Sequence, residues 1–146
     1  MGLLDLNHFT IRVRPEALDE TARFYTEVLG LALGYRPPFG FPGHWLYCGE
    51  SAVVHLIGTG EEPAGEAAPS TGRLDHIAFR ATGIAEMRRR LKRHGIEHRE
   101  RTVPDLGLKQ MFVRDPNGIL IELNYPAGDE AAERAVATAS ASEGAH

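Results

Sequence analysis

The chain has one cysteine, Cys48, so no internal disulfide can form. That scarcity fits a reducing compartment, and a cytoplasmic protein is expected. The N-terminus lacks a basic region followed by an apolar run, so no signal peptide is visible. No apolar run approaches the roughly 20 residues that a bilayer demands, which argues against a membrane-spanning helix. Positive charge is not in excess either. A formal net charge of −4 argues against an electrostatic nucleic-acid footprint. At 146 residues of ordinary globular composition, the chain is long enough for one domain that folds without staples.

What the sequence does contain, it contains twice. Leu6-Asn7-His8-Phe9-Thr10-Ile11-Arg12 returns 68 positions later as Leu74-Asp75-His76-Ile77-Ala78-Phe79-Arg80. Both runs alternate as strands, and each puts its His on one face, with Thr10 and Arg12 or Ala78 and Arg80. Helical patterns follow over 16–29 and 82–94, each ending at a glycine, Gly30 or Gly95, suited to a helix C-cap. Strand candidates over 31–36 and 96–101 come next. Trp45-Leu46-Tyr47-Cys48 then matches Met111-Phe112-Val113-Arg114 at an offset of 66, and the strand 51–57 matches 119–124, with His55 answering Glu122 at 67. Near-constant offsets describe a duplicated unit. The expected fold is α+β: two β-α-β-β-β modules, over about 4–57 and 73–126, with curved sheets around a cavity.

The stretch 58–72 is Gly-, Pro-, Ala- and Glu-rich and reads as the linker between modules. Asp115-Pro116-Asn117-Gly118 is a turn signal, Asn-Gly supplying the positive φ of a tight hairpin. A single domain is expected over 1–126. Residues 127–146 form an Ala-, Glu- and Ser-rich tail, flexible or helical, that nothing in its composition forces to pack.

The duplication places four ligand-type residues at matching positions: His8 and His76 on the first strand of each module, His55 and Glu122 on the last. If the modules pair about a pseudo-twofold axis, the four converge. Three imidazoles and a carboxylate suit a divalent ion: Zn, Ni, Co or Fe by the imidazoles, with Mn and Fe kept open by the carboxylate. Asn7 and Asp75 adjoin these histidines, but a pleated strand would turn them to the opposite face. His44 reads either as a cavity residue or as a surface one. The loop 36–43 carries Phe39 and Phe41 among prolines and glycines. These rings either cover something beside Trp45 or tuck into the edge of the core.

These motifs resemble the vicinal oxygen chelate superfamily, which includes glyoxalase I, bleomycin resistance proteins and extradiol dioxygenases. The resemblance spans about 4–126. It rests on Leu6-Asn7-His8, Phe24-Tyr25-x-x-Val28-Leu29-Gly30-Leu31, Leu74-Asp75-His76-Ile77-Ala78-Phe79, and Asp115-Pro116-Asn117-Gly118 leading into Ile121-Glu122-Leu123. It implies His8, His55, His76 and Glu122 as metal ligands, with Glu122 also as catalytic base and acid. It implies Arg12 as a substrate-binding residue. Phe39, Phe41 and Trp45 are expected, from their own apolar character, to form a substrate-binding wall near the metal. It further implies a homodimer and a small-molecule substrate with two neighbouring oxygens.

The implied activity is that of a glyoxalase-like lyase or isomerase, akin to lactoylglutathione lyase, working through an enediolate. An Fe(II)-dependent extradiol dioxygenase and a drug-binding resistance protein are the alternatives. The resemblance departs at His55, where glyoxalase I usually has Glu. One carboxylate instead of two leaves the site about one charge more positive, which favours an anionic oxygen.

Overall fold

The computed structural model describes residues 2–60 and 74–144; most of the expected linker lies outside the described residues. The first sheet contains β1 (Phe9–Arg12), β2 (Ala32–Gly34), β3 (Gly43–Cys48) and β4 (Ser51–Ile57), in the order β1-β4-β3-β2. The second contains β5 (Ile77–Arg80), β6 (Arg99–Val103), β7 (Leu108–Arg114) and β8 (Leu120–Pro126), in the order β5-β8-β7-β6. In both, the first strand runs parallel to the last and the other neighbours are antiparallel. The expected α+β class and the β-α-β-β-β order of each module are met. No helix among the described residues is long and apolar enough to cross a membrane.

Residue pairing matches the two sheets in register around the candidate residues, while the β3–β4 ladder adds an irregularity between Leu46 and Tyr47. Thr10 lies beside His55, and His55 beside Trp45; Ala78 lies beside Glu122, and Glu122 beside Phe112. The counterpart of Trp45 is therefore Phe112 at an offset of 67, not Met111 at 66. Matching by hydrophobicity alone slips by one residue, and one residue turns a strand side chain to the other face. Burial follows the pleat. Ile11, Leu46, Val54 and Leu56 are buried in the first sheet, and Met111, Val113, Ile121 and Leu123 in the second. Their neighbours Thr10, Trp45 and His55 stay accessible on the opposite face.

Helix α1 (Leu18–Arg23) is led in by a tight turn at Pro15–Ala17, and it packs on β3 and β4. It widens into a π-helical turn over Phe24–Val28, where Leu29 N–H reaches back to Phe24 O. Thr26 assists, its hydroxyl donating to Ala22 O and drawing that carbonyl from the ladder. The wider turn and the left-handed Gly30 (φ 84°) end the helix. The same turn holds Tyr25, fully buried, so that its hydroxyl donates to Asp115 Oδ2 across 2.9 Å.

Helix α2 (Ile84–Arg93) buries Ile84, Met87 and Leu91 and ends in a Schellman motif. Gly95 N–H bonds Lys92 O and Ile96 N–H bonds Leu91 O. Ile96 is thereby tied to the helix, which is why β6 begins at Arg99 and not at 96. In the turn after β7, Gly118 takes φ 81°, while Asn117 keeps a negative φ. Asp115 Oδ1 accepts the Asn117 N–H, so the turn is set by Asp115 and Gly118 and does not need the Asn-Gly pair as such.

The tail forms helix α3 (Asp129–Glu143), packed against α2. Helix α2 starts at a left-handed Gly83 with no capping side chain of its own. Asp129 accepts Gly83 and Ile84 N–H, and Glu133 accepts Ala85 and Glu86 N–H. The four donors that a helix N-terminus leaves unpaired are thus all met by carboxylates of another helix.

Two compact units result. One takes in the described residues to Gly60 together with Asp115–Gly118; the other takes in Leu74–Arg114 and 119–144.

Candidate functional site

In the first unit, β1 and β4 bring two candidate ligands together. The His8 and His55 rings stack 3.8 Å apart, and Trp45 stacks on the other side of His55 at 4.0 Å. The Trp45 contact follows from the register, since Trp45 and His55 are direct partners on the open face. The column continues outward, with Phe39 at 6.2 Å from Trp45 and Phe41 stacked on Phe39 at 5.4 Å. Arg36 holds the two Phe rings, its guanidinium 4.9 Å and 5.0 Å from their centroids, and donates to Phe41 O. Of the three aromatics, only Trp45 lines the cavity of about 750 Å³ that His8 and His55 share with Asn7, Tyr47 and Glu50.

His8 Nδ1 lies 2.7 Å from Asn7 Oδ1. An amide oxygen only accepts, so His8 donates from Nδ1. His55 uses Nε2 to donate to Ala52 O at 3.0 Å. Burial holds His55 below the usual imidazole range, and His8 beside it adds to that; the bond to Ala52 opposes both.

The second unit carries the other pair. His76 Nε2 lies 3.0 Å from Glu122 Oε2, and His76 Nδ1 lies 2.7 Å from Asp75 Oδ1. The bond to Asp75 chiefly raises the His76 pKa, with the Glu122 and Asp75 charges acting in the same sense against burial. Glu122 is buried, and Gln110 donates to its Oε1 at 2.7 Å and to Asn124 Oδ1 at 3.0 Å. Arg101 in turn donates to Gln110 Oε1. A chain of hydrogen bonds therefore runs from Arg101 through Gln110 to Glu122 and on to His76 and Asp75. These groups border a cavity of about 610 Å³.

Asn7 and Asp75 thus contact the histidines, contrary to the pleat argument. They precede β1 and β5, where the chain is not yet in a ladder and two-residue alternation does not apply. Their signal was in the sequence, since both are oxygen acceptors placed one before a His at the same offset. Gln110 and Arg101 carried no such signal.

Other expected residues stand elsewhere. Arg12 donates to Thr59 Oγ1 at 2.8 Å and does not line the cavity of His8 and His55. His44 points to the helix side and meets Asp19 Oδ1 at 3.2 Å. Among the described residues, no three His, Cys, Asp or Glu side chains gather as a metal site; the four candidates form one pair in each unit.

The donor set nevertheless fits a divalent ion. Imidazole ligands of metals characteristically donate their second nitrogen to a carboxylate or carbonyl oxygen, which fixes ring and tautomer. His8 and His76 both do so, on matching neighbours. His55 has its Nε2 committed to its own strand, leaving Nδ1 as its lone-pair donor.

The family model "Glyoxalase/Bleomycin resistance protein/Dioxygenase superfamily" matches residues 5–123. Among solved structures, a glyoxalase family protein from Bacillus anthracis is 24% identical, over 86% of this chain and 98% of that one, at a TM-score of 0.66. Lactoylglutathione lyase from Agrobacterium tumefaciens is 21% identical, over 86% and 96%, at 0.59. TnmS3, an antibiotic binding protein from Streptomyces sp. CB03234, is 20% identical, over 86% and 98%, at 0.62. At such identities these likenesses establish the fold.

Proposed function

We propose a metal-dependent lyase or isomerase activity of glyoxalase type for this chain, which belongs to the glyoxalase/bleomycin resistance protein/dioxygenase superfamily. The observation that carries the reading is the matched support of His8 by Asn7 and of His76 by Asp75, with Glu122 at His76 Nε2. Such support has little purpose for a core histidine and a direct one for a ligand. His8, His76 and Glu122 would hold the ion, with His55 as the weakest member. A bound Zn, Ni, Co, Fe or Mn ion supplies Lewis acidity to two neighbouring substrate oxygens as negative charge develops.

The protein's own part centres on Glu122. Gln110 fixes one carboxylate oxygen and leaves the other facing His76. A carboxylate so held takes a proton from carbon beside a carbonyl and returns it to the neighbouring carbon. The repeat provides no second carboxylate: its place is His55, which is tied to Ala52. A single base serving both transfers follows. The substrate is a small molecule, and the active form is a homodimer.

The experiment is metal analysis of the purified protein, followed by anaerobic reconstitution and titration with acetohydroxamate, a chelating mimic of the enediolate that carries no further acidic group. Retention of about one divalent ion per chain and hydroxamate binding only by the loaded protein are expected. Activity that requires Fe(II) and oxygen would replace this reading with ring-cleaving oxygenation. Absence of both metal and hydroxamate binding would end it.

The aromatic column favours one other reading, capture of a flat apolar drug against Trp45 and Phe39. Metal-independent quenching of Trp45 fluorescence by such a compound, without turnover, would support it.

A further inference from the structure

The second unit presents more positive charge than its fold needs. Arg99 and Arg101 lie two apart on β6, so they share a face, and their strand partners are Phe112 and Gln110. Phe112 is in turn the partner of Glu122. One row of the open sheet face therefore reads Glu122, Phe112, Arg99. Neighbouring strands are about 4.8 Å apart, which puts the Arg99 backbone about 10 Å from that of Glu122. Arg99, Arg101 and Arg114 all line the cavity that holds His76 and Glu122.

The charges in that cavity are not equally committed. Glu100 is taken by Arg88, Lys109 and His98, and Asp75 by His76. Arg101 gives two of its N–H groups to Gln110. Arg99 lies with its guanidinium 5.8 Å from the Phe112 centroid and has no hydrogen bond or ion pair among the described residues. Its donors face a cavity with a flat ring beneath them, an arrangement that leaves the whole fork available.

The duplication provides an internal comparison. The residue matching Arg99 in the first unit is Gly34, the strand partner of Trp45. Added bulk at Gly34 would meet the Tyr47 ring at 2.5 Å. The β-α-β-β-β architecture is thus built without a cation at this place, so the fold itself does not require Arg99.

We propose that Arg99, assisted by Arg101, is the subsite for an acidic group of the substrate: a carboxylate, phosphonate or phosphate a few bonds from the oxygens presented to Glu122. This deepens the lyase or isomerase reading and rests on it for the reacting end of the molecule. A guanidinium fork matches the geometry of such anions bidentately. Phe112 forms the floor between the two ends, so the linking segment is short and apolar. The substrate class is a small organic acid whose carbonyl and neighbouring oxygen lie at the Glu122 end.

The test separates the subsite from the chemistry. Phosphoglycolate is titrated into metal-free protein, followed by amide shifts of Arg99 and Phe112 in NMR spectra. Binding is expected to weaken about tenfold in Arg99→Gln and to recover in part in Arg99→Lys. Arg80→Gln, on the far strand of the sheet, controls for general charge and should change nothing. No binding, or equal affinity of wild type and Arg99→Gln, overturns the proposal. In parallel, metal-loaded protein is titrated with acetohydroxamate, which has no acidic tail. Its affinity is expected to be unchanged in Arg99→Gln, and a loss equal to that of phosphoglycolate overturns the subsite by showing general damage. If acetohydroxamate fails on wild-type protein while phosphoglycolate binds through Arg99, the metal chemistry is wrong and the subsite stands.

Discussion

Gln110 donates to Glu122 across 2.7 Å, and the first module has no equivalent, because the matching residue is Gly43. Added bulk at Gly43 would meet the Leu56 carbonyl at 2.4 Å, so that position is closed to a side chain. The second module therefore orients Glu122 from a position that the first leaves without a side chain. Gln110→Leu keeps the volume and removes the donor, leaving buried Glu122 Oε1 short of a partner. A loss of about 1–3 kcal/mol in urea unfolding is expected. Metal affinity, measured against a competing chelator, should fall about tenfold or more, as for other outer partners of metal ligands.

The committed Nε2 of His55 leads to a graded prediction for the ligands. His76→Ala and Glu122→Gln should each abolish metal retention, since two imidazoles and a carboxylate are the least that make a working set. His55→Ala should keep a weakly held ion. Metal content of the three purified variants checks this, and equal loss in all three would show that four ligands are needed.

Helix α2 depends on α3 for its N-terminus. Asp129→Ala removes the acceptor of two backbone N–H groups and should cost about 2 kcal/mol, at the upper end for helix caps. Amide exchange at Gly83 and Ile84 should accelerate, while exchange in β3 and β4 stays as it was. Uniform acceleration through both units would contradict this.

Acid should weaken the network around Glu100. Arg88 donates to both of its carboxylate oxygens, holding the Glu100 carboxyl down at about 2, with His98 and Lys109 acting the same way. The folded-state value lies below the ordinary one of 4.5, so the stabilisation is present above that pH and is lost as pH falls toward about 2. The group is partly exposed, so Glu100→Gln should cost only about 1 kcal/mol at pH 7. The gap between variant and wild type should close below pH 4.5 in thermal melts. A gap that widens in acid would show that the pairing is misread.

Much of the framework was legible because it was said twice. Period-two alternation and a repeated His singled out His8, His55, His76 and Glu122, and the strand expected over 51–57 has those bounds. What escaped depends on contacts across the sheet or along the chain. Arg99 and Gln110 matter through their strand partners, and both stand where the repeat breaks, opposite Gly34 and Gly43. Asn7 and Asp75 precede their strands, so two-residue alternation does not govern where they point. Asp129 and Glu133 cap a helix 46 and 48 residues away, a pairing that leaves no mark on local composition or periodicity.

The bond from Tyr25 to Asp115 bears on how the polypeptide is made and divided. The first unit is not a contiguous piece of chain, since it includes Asp115–Gly118. During synthesis its buried tyrosine waits for an acceptor 90 residues downstream. A gene cut at the repeat boundary would encode an N-terminal fragment lacking that acceptor, its Tyr25 hydroxyl held in an apolar interior at a cost of about 1–3 kcal/mol. A half-length protein ending at the repeat boundary would have to carry its own carboxylate beneath Tyr25.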